Sequence, residues 1–137
     1  MKKIRNYSAI TAHGDVPARK MVLDLMDRVL QEVDSYQRIR DVMHVEGNVL
    51  HVGVKSWNLE SKRNIYLLGA GKACNAMAQA VCDVLGERIT KGIICVKIKE
   101  EQDHYCNTDV YVGGHPLPNE EGMLAAQKMI DLILQAQ

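Results

Sequence analysis

The residues best suited to chemistry stand in three short runs. The first is Tyr66-Leu67-Leu68-Gly69-Ala70-Gly71-Lys72-Ala73, an apolar run that enters a glycine-rich turn and leaves it on a lysine. A turn of this kind between a strand and a helix directs backbone N–H groups and the positive helix end at an anion. A P-loop needs G-x-x-x-x-G-K-[ST]; here Tyr66 stands where its first glycine belongs and Ala73 follows Lys72, so the run is not one. The dinucleotide fingerprint G-x-G-x-x-G is met at Gly69 and Gly71 and broken at Cys74, and Lys97 stands where the ribose-binding acid is expected. A cation in the first turn of a helix is opposed by the dipole by roughly 0.3–1 kcal/mol unless an anion lies between them. Lys72 therefore points to a bound phosphate or carboxylate, the alternative being a solvated lysine whose penalty is mostly screened by water.

The second run is Gly113-Gly114-His115-Pro116-Leu117-Pro118-Asn119-Glu120, in which two prolines stiffen the turn that carries His115 and Asn119 is suited to cap a following helix. The third is Lys97 to Lys99. All three follow the carboxyl ends of expected parallel strands, the edge on which open α/β sheets bind ligands. Together they would offer glycines, lysines and one histidine to an anionic small molecule. Other candidates are weaker. His44 and His51 sit on two hairpin strands with no Cys, Asp or Glu at metal spacing, and are read as surface residues, so no metal site is assigned. Cys74 and Cys82 are eight apart on one helix face and are read as core thiols. Lys97, Lys99, Glu100, Glu101 and Asp103 read as a solvated charge run, and His13-Gly14-Asp15 with Arg19 as a capped, solvated helix start.

These residues need a scaffold, and the sequence predicts one. Ala18, Met21, Val22, Leu25, Met26, Val29, Leu30 and Val33 recur at helical spacing, so a helix is expected over 15–34, capped by Asp15 with Pro17 in its first turn. Alternating segments on either side of Glu46-Gly47-Asn48 predict an antiparallel hairpin over 42–54. A polar stretch follows, and residues 65–134 then read β-α-β-β-α: strand Ile65 to Leu68, helix Lys72 to Leu85, strand Ile93 to Ile98, strand Val110 to Val112 and helix Glu120 to Leu134. Continuous apolar strands imply a parallel sheet covered on both faces. The expected class is α/β: a Rossmann-like, mainly parallel sheet flanked by helices, with a small N-terminal β-hairpin. Three parallel strands leave an unpaired edge, which invites association with another copy or another chain.

Composition narrows the function classes. The chain has 137 residues, 47% hydrophobic and 25% charged, with 17 basic and 17 acidic residues and net charge +0. That balance argues against nucleic acid and against a membrane surface as partners. No run approaches the roughly 20 apolar residues of a membrane span, and no secretory leader is read, so the expected location is cytoplasmic. Aromatic residues are 4% with Phe 0, too few for base-stacking platforms.

Taken in order, His13-Gly14 with Arg19, Val33-Asp34-Ser35-Tyr36, Glu46-Gly47-Asn48, Gly69-Ala70-Gly71-Lys72-Ala73, Met77-Ala78, Leu85-Gly86-Glu87-Arg88-Ile89 and Gly114-His115-Pro116-Leu117-Pro118 resemble the N-terminal part of the glycerate 2-kinase family, also described in places as hydroxypyruvate reductase. The resemblance implies ATP- and Mg2+-dependent phosphoryl transfer to the 2-hydroxyl of D-glycerate, giving 2-phosphoglycerate. It also implies a Rossmann-like domain joined to a smaller α/β domain, with the site in the cleft between them. Lys72 matches the family's functional lysine and is expected to be catalytic. Gly69, Ala70, Gly71 and Lys72 are expected to hold the nucleotide, and His115 and Arg19 to contact substrate. Asn119 stands where the family often has Asp. The family continues past residue 137 into a second domain, so residues 1–137 are expected to be an incomplete, N-terminal piece of the family domain. The alternative is a non-catalytic Rossmann-like module that binds an anionic metabolite or completes another chain's sheet. A nicotinamide-dependent reductase is a third reading, opposed by Lys97.

Overall fold

The computed structural model describes residues 3–99 and 105–136. Glu100, Glu101 and Asp103 of the charge run lie outside them. The chain divides into two compact units, Met1–Asp34 and Ser35–Gln137.

The first unit holds α1 (Tyr7–Ile10) and α2 (Val16–Glu32). The Asp15 carboxylate accepts the Ala18 N–H at 3.1 Å, the cap its position predicts, and Pro17 occupies the first turn. The buried residues of α2 are Leu23 and Asp27, off the apolar stripe read from the sequence. Asp27 is the hub of the unit: its carboxylate accepts the N–H groups of Lys3 at 2.6 Å and Ile4 at 3.0 Å and the Gln31 side-chain amide at 2.7 Å. A buried carboxylate is tolerated where such donors replace its water. The stripe itself stays exposed, with Met21 70%, Leu25 64% and Val33 63% accessible.

The second unit opens with α3 (Ser35–Val42) and an antiparallel sheet of β1 (Met43–Glu46), β2 (Val49–Val52) and β3 (Lys55–Asn58) in that order. His44 pairs with His51 across the expected hairpin, and their rings stack at 4.8 Å. Two elements differ from expectation. β3 occupies the start of a stretch read as polar and irregular; all four of its residues are exposed, and it is held by backbone pairing to β2. α3 is short and has no buried residue, but the Tyr36 hydroxyl donates to Asp83 at 2.6 Å and so ties it to the next helix.

The remainder is the α/β layer: β4 (Tyr66–Ala70), α4 (Cys74–Leu85), β5 (Lys91–Val96), β6 (Thr108–Val112) and α5 (Glu120–Gln135). The three strands are parallel in the order β4-β5-β6. Ile89 and Ile94, both 0% accessible, anchor the core with Cys74, Ala78, Cys82 and Leu85 of α4. Small residues on α4 let it lie close: a Cβ on Gly69 would come within 2.5 Å of the Cys74 sulfur. On α5 the fully buried residue is Ala125. β4 runs on through Gly69 and Ala70, and α4 begins at Cys74 rather than Lys72. The turn is thus Gly71-Lys72-Ala73, closed by the Cys74 N–H donating to the Gly71 carbonyl at 3.2 Å. Lys72 therefore precedes the helix, and the dipole argument for its charge applies more weakly than the sequence suggests.

Candidate functional site

Parallel strands put their carboxyl ends on one edge, and the backbone there ties the three expected loops together. The Gly71 N–H donates to the Cys95 carbonyl at 3.0 Å, and the Gly113 N–H to the Val96 carbonyl at 2.8 Å. Gly71 has φ +122°, a conformation that a side chain opposes, so glycine is needed for the chain to turn back here. The third loop is held by Asn119. Its Oδ1 accepts the N–H groups of Gly114 at 2.8 Å and Gly122 at 2.9 Å, and its Nδ2 donates to the Val112 carbonyl at 3.0 Å. One side chain caps α5 and fixes the base of the His115 turn, whose His115–Pro116 peptide bond is cis.

Between these loops lies an open cavity of about 290 Å³, lined by Ala70, Gly71, Lys72, Cys95, Val96, Lys97, Gly113, Gly114 and His115. Lys72, Lys97 and His115 are exposed at its rim, and half-buried Cys95 and buried Val96 belong to its wall. A second, mainly apolar cavity of about 400 Å³ shares Ala70, Gly71 and Lys72 with it and runs along Leu67, Leu68 and Met77. The Gly71–Lys72 turn stands at the border of a cationic cavity and an apolar one.

The N–H groups of Gly71, Gly113 and Gly114 are spent on stitching the loops, not held out to an anion as the glycine-rich sequence suggests. An anion placed at this edge would meet the side chains of Lys72, Lys97 and His115. Among the described residues no carboxylate lines the cavity, and no group of three or more His, Cys, Asp or Glu is placed to hold a metal ion. These residues suit phosphate or carboxylate oxygens; they do not suit a directly held Mg2+, which takes oxygen ligands.

Of the residues singled out from sequence, Ala70, Gly71, Lys72 and His115 meet at this cavity, while Gly69 lines the adjoining one. Arg19 belongs to the first unit, where its guanidinium donates to the Ile10 carbonyl at 3.1 Å and lies over Gly14. Cys95 escaped the sequence reading as a wall residue. The signal was available in the register, which sets Cys95 beside Ala70 at the carboxyl end of β5. Burial raises the Cys74 thiol above its usual range, and the neighbouring Cys95 adds to this. Burial also pushes the Cys82 thiol up to about 12, helped by a hydrogen bond with Cys106.

A family model described as Domain of unknown function (DUF4147) matches residues 21–137. A D-glycerate 2-kinase of Thermotoga maritima is 31% identical over 71 residues, which are 52% of this chain and 17% of that protein. A glycerate 2-kinase of Pyrococcus horikoshii is 24% identical over 119 residues, covering 87% of this chain and 26% of that protein. A crystal structure of a Pyrococcus horikoshii protein aligns with TM-score 0.70 at 25% identity over 88% of this chain and 26% of that one. A glycerate kinase structure from Thermotoga maritima aligns with TM-score 0.56 at 20% identity, a likeness of fold, over 82% of this chain and 24% of that one. The chain thus spans about a quarter, or less, of the length of the relatives it matches.

Proposed function

The chain belongs to the DUF4147 family and is related to the glycerate kinases, and from that premise we propose that it supplies the anion-binding edge of an ATP-dependent D-glycerate 2-kinase. The observation that carries the reading is the convergence of Lys72, Lys97 and His115 on one cavity at the carboxyl ends of the parallel strands. Phosphoryl transfer asks little covalent chemistry of the protein and much charge placement. Lys72 neutralises the transferring phosphate or the glycerate carboxylate, the Gly69–Gly71 segment shapes the nucleotide side, and His115 contacts the substrate. The apolar cavity beyond Lys72 suits the less polar part of a nucleotide. Metal ligands for the nucleotide's Mg2+ would come from residues other than those lining this cavity.

In an active enzyme of the relatives' length that carries this segment, Lys72→Ala is expected to lower 2-phosphoglycerate formation by about 10²-fold, the loss typical of a preorganised charge partner. Near-unchanged turnover would remove Lys72 from the reaction. Among the described residues the cavity lining carries cations and no carboxylate, which favours a second reading, in which the 137-residue chain binds an anionic metabolite without turning it over. The intact mass of the protein as the native cell makes it, read with a coupled assay of that protein with ATP, Mg2+ and D-glycerate, separates the two. A mass several times 15.3 kDa with product formation supports the kinase, whereas a mass near 15.3 kDa with saturable D-glycerate binding and no product supports the binding module.

A further inference from the structure

At the opposite end of the same sheet lies a second cavity that the kinase reading does not use. It has a volume of about 250 Å³ and is lined by Asn48, Glu60, Lys62, Arg63, Asn64 and Arg88, with Leu59 and Ile65. Ile65 immediately precedes β4 and Arg88 stands shortly before β5, so the cavity sits at the amino ends of the strands, away from Lys72 and His115. Its frame is pinned from several sides. The Ile65 N–H donates to Thr90 Oγ1 at 3.1 Å, and the Thr90 N–H returns a bond to the Ile65 carbonyl at 2.8 Å. The Leu59 N–H donates to the Asn48 carbonyl at 2.8 Å, and Asn48 Nδ2 donates to Glu60 at 2.5 Å. Chain segments far apart in sequence are thereby held around one hollow.

The charges there are out of balance. Among the described residues, exposed Lys62, Arg63 and Arg88 share the cavity lining with one carboxylate, Glu60, which is engaged by Asn48, and none of the three cations has an ion-pair partner. A chain with net charge +0 thus concentrates an excess of two positive charges at one cavity. Guanidinium forks match the oxygens of a tetrahedral oxyanion in paired hydrogen bonds, and the lysine and two side-chain amides add further donors.

We propose that this cavity is a second anion site, taking a phosphate group either as the free ion or as a monoester. The test is an amide NMR titration of the 137-residue chain with inorganic phosphate at constant ionic strength, repeated with glycerol 3-phosphate. Saturable shifts are expected at Asn48, Arg63, Asn64 and Arg88. An Arg63→Gln/Arg88→Gln double variant is expected to raise the Kd at least tenfold, while Lys72→Ala leaves it unchanged. Glu60→Gln removes the opposing charge and is expected to tighten binding, an effect that a loosened fold would not produce. Tighter binding of the monoester assigns an esterified phosphate, and exclusion of the monoester assigns the free ion. Shifts that never saturate and spread over all surface lysines overturn the proposal, as does a double variant that titrates like the parent. Because Lys72→Ala reads the other edge, failure here leaves the kinase reading standing, and the reverse holds as well.

Discussion

Among the described residues near the candidate site, Asn119 holds more backbone than any other side chain, since it accepts from Gly114 and Gly122 and donates to Val112. Asn119→Ala removes the cap of α5 and the anchor of the His115 turn together, so a loss of about 1–2 kcal/mol is expected in denaturant melts. Asn119→Asp keeps both accepted bonds, replaces the donation to Val112 with an oxygen facing that carbonyl, and adds a negative charge at the amino end of α5, so it should cost less than Asn119→Ala; the reverse ranking would assign the main role to the Val112 bond. Gly114 is constrained more tightly, because a Cβ there would sit 2.1 Å from the Leu117 carbonyl oxygen. Gly114→Ala must displace backbone and should destabilise the unit and disturb the His115 amide resonance. Cys82 gives the pH dependence. Its folded pKa, about 12, lies above the ordinary 9.0, so the folded state keeps the proton that the unfolded state releases. That contribution to stability is complete below about pH 9 and falls away as the pH rises toward 12. Cys82→Ala should flatten the decline in melting temperature over that window.

At the scale of elements, the sequence was most legible where burial imposed a period. The parallel strands read as apolar runs because α4 and α5 cover them. Asp15 and Asn119 announced the helices they cap, and the class inferred from those signals is the class observed. β3 was illegible because Lys55, Ser56, Trp57 and Asn58 are all exposed and carry no alternation; only pairing with β2 makes them a strand. Trp57 opposes Leu50 across that pair, so Trp57→Ala is expected to cost about 0.5–1 kcal/mol, with loss of amide protection confined to the antiparallel sheet. α2 shows the opposite error. Its helical spacing was plain, yet the packed face is Leu23 and Asp27, because hydrogen bonds from Lys3 and Ile4 select the side bearing a carboxylate. The cluster of Lys62, Arg63 and Arg88 gave no signal, since its members meet only when the approaches to β4 and β5 lie side by side.

At the scale of the whole molecule, both long helices carry exposed apolar residues. Met21, Leu25 and Val29 on α2 and Met123, Ile130 and Leu134 on α5 are each at least half exposed. Contiguous apolar faces of this kind promote association. Sedimentation of the chain should therefore depend on concentration, and Leu25→Lys with Val29→Lys should reduce that dependence; identical behaviour of parent and variant would clear α2 of any part in it. The bonds that join Gly71 to Cys95, and Gly113 to Val96, have a kinetic meaning as well. A mouth whose main chain is already fastened has little to order when a ligand arrives, so encounters should proceed without a slow closing step. Differences among ligands would then appear chiefly in how quickly each one leaves.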